Sequence, residues 1–261
     1  VNDVQLGQAN CAEDEFRAHI KRGLDKNAWY IGLGDYVDLA SPSTRSKLKA
    51  GDFYDIVEDK LESAAEDDIA SFLEMVKGTK GRWLGMLSGH HQYAFRDGST
   101  SDTRIAEALG APYLGTCAFI RIVFQHARFT HHRVTHTFWL HHGKGGGLRA
   151  SAPINQLENI IARFEADTYL IAHHHRQIAA LVDSLTMTAR APFRVKSKPK
   201  LMICTGGFLR GYQQGSKQGG IPKGSYVEQK MLSPVAVGGV MLSITPMRDG
   251  TSRAQVVGLP S

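Results

Sequence analysis

Between residues 12 and 175 the apolar positions switch repeatedly between a helical spacing and short continuous runs. Phe16, Ile20 and Leu24 fall at i, i+4 and i+8, which predicts a helix over 12–26. Trp29 to Leu33 is a short apolar run ending in Gly-Asp, as a buried strand would. Over 54–77 the spacing is helical again, with Ile56, Val57, Leu61, Ile69, Phe72, Leu73 and Val76 on the inner face and Gly78 and Gly81 as stops. Arg82 to Leu87 reads as the next strand. A helix over 102–109 follows, started by Ser101 or Asp102 and closed by Gly110. Strands are expected near 117–125 and 134–141. The helix expected over 152–165 has Ser151 as N-cap, Pro153 in its first turn, and Leu157, Ile160, Ile161 and Phe164 facing inward. Thr168 to Ala172 is a further strand.

From about 177 to 258 the pattern is mostly strands with glycine-rich turns, strongest at Leu201–Thr205 and Val235–Thr245. Strand–helix alternation followed by strands predicts an α/β protein, layered around two central mixed sheets rather than one doubly wound sheet. No linker of Pro, Ser or charge runs divides the chain, so residues 1–261 are read as a single domain.

Composition changes this picture only a little. There is no apolar run approaching the roughly 20 residues of a membrane span, so a membrane protein of the helical kind is not expected. Cys11, Cys117 and Cys204 are odd in number and far apart. That is poor material for a disulfide framework and fits a reducing compartment, the cytoplasm. The net charge of +6 allows two readings: a solubilising surface, or attraction to polyanions such as nucleic acid. Arg190, Arg194, Lys196, Lys198 and Lys200 surround Phe193 in a dense basic stretch. Such a stretch can follow a phosphate backbone or can be a solvated loop. Nothing in the sequence bears on oligomeric state.

The informative residues sit where the strands end. Four clusters, Gly34-Asp35-Tyr36-Val37-Asp38, Gly89-His90-His91-Gln92, His141-His142-Gly143 and His173-His174-His175, each follow an expected strand. Aspartate and histidine hold borderline divalent metals near neutral pH. Asp35, just after a buried strand, can present both carboxylate oxygens to a cleft and bridge two ions; a lone Gly-Asp is more often a turn. Asp38 is read as orienting its neighbours. One of His90 and His91 can bind metal while the other meets substrate. His173 and His175, at i and i+2, would share one face of a strand, each serving an ion, with His174 pointing away. His142 precedes a glycine that lets a ligand approach; His141 is the alternative. His126, His131, His132 and His136 are read as surface residues, and His19 as an ordinary helix residue. Gly143-Lys144-Gly145-Gly146-Gly147 lacks the Ser or Thr and the upstream glycine of a phosphate loop and is rejected as one.

In this order the motifs resemble the calcineurin-like metallophosphoesterase superfamily, whose pattern is Asp-x-His, Gly-Asp-x-x-Asp, Gly-Asn-His-Asp/Glu, a His before Gly, and Gly-His-x-His. The matching positions are Asp3-Val4-Gln5, Gly34 to Asp38, Gly89 to Gln92, His142-Gly143 and Ala172 to His175. The resemblance implies a four-layer αββα sandwich with the metal site at the carboxyl ends of its strands. It implies two divalent ions, Mn²⁺ foremost with Fe or Zn²⁺ as alternatives. Asp35 would bridge them. Asp3, Gln5 and His175 would complete one site, and His90, His142 and His173 the other. His91 would be the general acid or a phosphate-contacting histidine, and a metal-bridging hydroxide the nucleophile.

Three positions depart from the family. Gln5 replaces a histidine ligand with a weak neutral amide, His90 replaces asparagine, and Gln92 replaces an acid. Only Val1 and Asn2 precede Asp3, so the strand carrying it is expected to start upstream. Thr205 to Tyr212 is similar to segments of phage-encoded members, which implies a bacterial or phage-infected cell. The activity implied is a phosphodiesterase or nuclease, with Arg194, Lys196 and Lys198 binding the substrate backbone. The alternatives are a phosphomonoesterase or small-molecule phosphoesterase on the same fold, and a non-catalytic nucleic-acid-binding protein, which Gln5 would favour.

Overall fold

Helix α1, Glu13–Asp25, buries Phe16 and Ile20 and carries Glu13, Asp14 and Glu15 in its first turn, where they complement the helix dipole. The computed structural model describes residues 1–39, 55–129, 131–147, 149–188, 191–217, 220–222 and 224–257. Positions 54, 190 and 258, which figure in the expectations above, lie outside them. Strand β1, Tyr30–Gly32, pairs in parallel with β2, Trp83–Met86, across helix α2, Asp55–Val76. Helix α2 buries Ala65, Ile69, Phe72 and Val76. Ile56, expected on its inner face, is 64% exposed. The helical spacing continues into the first turn, where the described residues leave it largely uncovered.

Along the open edge of β1 runs the N-terminal segment. Val1 O accepts from Leu33 N, Asp3 N donates to Gly34 O, and Val4 N and Gln5 N both donate to Asp35 O. Helix α3, Ser101–Leu109, is capped by Thr100, whose side chain exchanges bonds with Thr103, and ends at Gly110 in the left-handed conformation. The cap therefore lies one or two residues upstream of the expected Ser101 or Asp102, which leaves the Asp102 carboxylate for another partner.

The second sheet has five strands in the order β3-β4-β5-β7-β6. They are β3, Cys117–Gln125; β4, Arg133–His141; β5, Thr168–Ile171; β6, Gln177–Met187; and β7, Val195–Thr205. The pairs β4–β5 and β5–β7 are parallel, while β3–β4 and β6–β7 are antiparallel. All four residues of β5 are buried, as expected of a strand covered on both faces. On one face Trp139, Tyr169, Ile171 and Met202 pack with Leu157 of α4, Ala152–Ile161. On the other, Phe138, Leu140, Leu170 and Ile203 pack with Leu33 and Leu87 beside the first sheet. A third cluster joins Val4 and Tyr36 to Phe16, Phe72 and Ile105 of α1, α2 and α3.

The end of the chain departs from expectation. Helix α4 stops at Ile161 rather than 165, Ser151 makes no capping bond, and Phe164 is 37% exposed. The run Val235–Thr245 yields a strand only at β8, Leu242–Pro246, which pairs with β9, Ser252–Val256. Gly238 instead bridges Gly207. A single short helix, α5, Tyr226–Gln229, interrupts this region. His136, read as a surface residue, is 1% exposed and sits between Ser252 Oγ and Thr168 Oγ1 at 2.8 and 2.9 Å. Its alternation along β4 points it into the core, where two hydroxyls satisfy both ring nitrogens.

The architecture is thus mixed α/β, with a five-stranded mixed sheet and helices. The three cysteines are unpaired. Among the described residues no helix is long and apolar enough to cross a membrane.

Candidate metal centre

The loops after β1, β2, β4 and β5 meet at one place. Asp35, His90, His142 and His173 each direct one ligand atom there, all within 4.8 Å of one another. The approach depends on two glycines. Gly34, at φ +95°, lies against Gly89, and a Cβ on Gly89 would come within 2.0 Å of Asp35 Oδ1. The loops after β1 and β2 can therefore cross only with glycine at this contact. Backbone strain concentrates here as well. Of the eight non-glycine residues with positive φ among the described residues, five are Asp3, Gln5, Asp35, His173 and His175. Left-handed backbone in such residues is uncommon and clusters at functional sites.

Imidazole Nδ1 of His142 is 2.6 Å from Leu33 O, which fixes it as the donor nitrogen. Nε2 of the neutral ring then carries a lone pair, and it faces Asp35 Oδ2 at 3.1 Å. Both atoms are buried and make no hydrogen bond. Two electron-rich atoms pointed at each other in the interior need a proton or a cation between them. Burial works against charge on His142, but Asp35 and Asp3 overcome it and push its pKa up to about 9. Burial also opposes ionisation of Asp35, yet His142 and His91 hold its carboxyl below the usual range. Burial, reinforced by His142, lowers His173 to about 4 and lowers His90 as well. Their Nδ1 atoms lie 3.3 Å apart. Asp35, His90, His142 and His173 together offer one oxygen and three nitrogens, a donor set that suits borderline metals.

Beside the cluster lies a second pair. Asp3 Oδ1, also buried without a hydrogen bond, is 3.5 Å from His175 Nε2. Asp3 Oδ2 is held by Asn2 Nδ2 at 2.7 Å and by the amide of His173 at 2.9 Å. Asn2 is in turn fixed by Gly206 O and Thr205 Oγ1. Gln5 does not stand free beside this pair: its Oε1 accepts from Gln8 Nε2 at 3.1 Å. The same Gln8 nitrogen bonds Asp38 Oδ2. Asp38 Oδ2 also lies 2.8 Å from His91 Nδ1, while His91 Nε2 is 3.9 Å from Asp35 Oδ2. His90 and His91 thus converge on one site, His90 within the cluster and His91 at its rim.

The geometry expected of His173 and His175 does not hold. Strand β5 ends at Ile171, and both histidines lie in the following loop with positive φ. They diverge, one to the four-residue cluster and the other to Asp3. His141 stays outside: its Nδ1 accepts from Gly143 N, and its ring stacks on Trp139.

Arg194, Lys196 and Lys198 are not brought to the cluster. Hairpin β6–β7 starts at the site, where Gln177 pairs with Thr205, and runs outward to Met187 paired with Val195. Seven to eleven residues of extended chain put these side chains roughly 20–35 Å from the metal end. Lys198 is held by Glu165 at 2.7 Å, and Lys200 by the same carboxylate at 2.6 Å. Arg190 lies outside the described residues.

Asn2, Gln8, Asp102 and the Thr205–Gly207 segment belong to the site but carry no local motif. No family model matches the chain, and no curated protein is significantly similar to it.

Proposed function

We propose that this protein is a metal-dependent phosphoester hydrolase of the phosphodiesterase type. The reading rests chiefly on Asp35 Oδ2 and His142 Nε2, buried atoms that face each other at 3.1 Å inside a cluster completed by His90 and His173. The core clusters lying between the sheets and the helices support the αββα order of layers. A divalent ion bound there supplies Lewis-acid polarisation of a phosphoryl oxygen and a nucleophile at neutral pH.

Asp35, His90, His142 and His173 hold the tighter ion. Asp3 and His175 would hold a second, with Gln5 as a weak contributor at most. Mn²⁺ is the first expectation, with Fe or Zn²⁺ as alternatives. His91 does not bind metal. Asp38 fixes its Nδ1, so Nε2 is the atom that faces the cleft and gives a proton to the departing alkoxide. Gln8 in turn bonds Asp38. The catalytic apparatus thus separates into histidines that ligate and one histidine that transfers a proton.

One observation favours a second reading, a small-molecule or monoester phosphoesterase. The basic residues expected to follow a nucleic-acid backbone lie away from the cluster, and Lys198 is neutralised by Glu165 and Asp167. Metal analysis, together with rates on bis-p-nitrophenyl phosphate, p-nitrophenyl phosphate and single- and double-stranded DNA, tests both readings. Metal-dependent diester cleavage with slow monoester turnover supports the first, and the reverse order supports the second. A protein that takes up no Mn²⁺, Fe or Zn²⁺ refutes both.

A further inference from the structure

Helix α3 contains a carboxylate that neither the metal ligands nor His91 account for. Asp102 is 1% exposed. Burying a carboxylate is costly unless its oxygens are engaged, and the helix does not need it as a cap, because Thr100 and Thr103 already fill that role. Its Oδ2 instead accepts from Gly89 N at 2.9 Å, and its Oδ1 from Ser101 Oγ at 3.3 Å. Two residues later in the same loop, His91 N donates to Asp35 Oδ1 at 2.8 Å. Two carboxylates on different elements thus hold alternate amides of one short loop, and His90 is the residue between them. The position following His91 carries Gln92 and no charge, so an acid in this role comes from the helix.

We propose that Asp102 is the positioning residue of the His90–His91 loop. By fixing Gly89 it sets the angle at which His90 enters the cluster and the place from which His91 reaches Asp38. The role rests on the metal-centre reading above but acts through a backbone bond that exists without metal. Burial, reinforced by Asp35, raises the Asp102 carboxyl to about 7, and either protonation state leaves an oxygen able to accept from Gly89.

The test uses Asp102→Ala and Asp102→Asn in the full chain, with two readouts: calorimetric titration with Mn²⁺, and amide hydrogen exchange of the 88–92 segment in metal-free protein. Asp102→Ala should speed exchange in that segment and weaken Mn²⁺ binding about 10–100-fold, the usual effect of losing a residue that orients a ligand. Asp102→Asn keeps an acceptor oxygen and should restore both towards the unmodified values. A folded Asp102→Ala protein with unchanged exchange and unchanged Mn²⁺ affinity overturns the proposal. If Asp102→Ala does not fold, Asp102→Asn decides. A folded Asn variant with Mn²⁺ affinity lowered by about tenfold or more would show that charge acts, not the bond to Gly89. Should the unmodified protein take up no Mn²⁺, Fe or Zn²⁺, the metal-centre reading falls, and the exchange measurement alone decides whether Asp102 holds the loop.

Discussion

A single methyl group at Gly89 should disable the centre. A Cβ there would lie 2.0 Å from Asp35 Oδ1 and 2.2 Å from Asp35 N, where side-chain carbons need at least 3.0 Å. The obstacle is backbone and a buried carboxylate, so it cannot swing aside as a flexible chain end would. Relief requires the loops after β1 and β2 to separate by about 1 Å or more, and overpacking of this kind costs about 1–3 kcal/mol. That displacement breaks the bond from His91 N to Asp35 and carries His90 away from His142 and His173. A misplacement of about 1 Å can lower turnover roughly 10²-fold. Gly98 provides the matched control: it has φ +85° and nothing within 4 Å of its Cβ position. Gly98→Ala should cost about 1–2 kcal/mol of backbone strain and no metal affinity. Calorimetry with Mn²⁺ and thermal melts of both variants separate the two effects. Gly89→Ala with unmodified Mn²⁺ affinity would refute the account of how the loops meet.

Three further expectations follow from the same geometry. Gln5→His should tighten a second ion at Asp3 and His175, read by calorimetry; an unchanged second binding constant would remove residue 5 from that pair's surroundings. His91→Ala should lower kcat by about 10²–10⁴-fold for a poor leaving group, and far less for p-nitrophenolate, with metal content unchanged. Loss of an ion, or equal losses for both leaving groups, would make His91 a ligand or binding residue. His19 is buried and its pKa is lowered to about 3. It is neutral in the fold and charges more readily when unfolded. Its contribution is therefore intact above pH 6.5 and lost as pH falls from there toward 3, by at most about 1.4 kcal/mol per pH unit. Urea melts between pH 7 and 4 should show a shallower acid slope in His19→Gln, and an identical slope would exclude His19 as the acid-sensitive group.

Much of the frame could be read from spacing. Helices α1, α2 and α3 and strands β1 to β5 lie within a few residues of the expected positions, because burial repeats every turn or every residue. The chain order of the Asp and His clusters placed Asp35, His173 and one member each of the pairs His90–His91 and His141–His142 at strand ends, but which member of each pair turns inward is visible only in the fold, where His90 and His142 join Asp35 and His173. What could not be read came from distant segments. Asn2 meets Thr205 and Gly206 across the chain. Lys198 and Lys200 meet Glu165, and Lys198 also Asp167, on the neighbouring connection, so part of a stretch that looks basic in sequence is paired in space. His136 looked exposed beside other histidines until β9 and β5 supplied its hydroxyl partners. The directions of His173 and His175 depended on positive φ values that residue type does not announce.

Those left-handed backbones also bear on how the protein can be altered. Asp3, Gln5, Asp35, His173 and His175 each hold a conformation that costs a non-glycine residue about 1–3 kcal/mol. Together they amount to a sizeable part of the roughly 5–15 kcal/mol that keeps a domain folded. The rest of the molecule thus tolerates local instability at one spot, and a bound ion would recover it. Glycine at these positions would relieve that strain, but at Asp3 and Asp35 it would also remove the carboxylates that hold the amides of His173 and His91. The strain at this spot is thus tied to the side chains seated there, and it cannot be bred out without releasing the loops they hold.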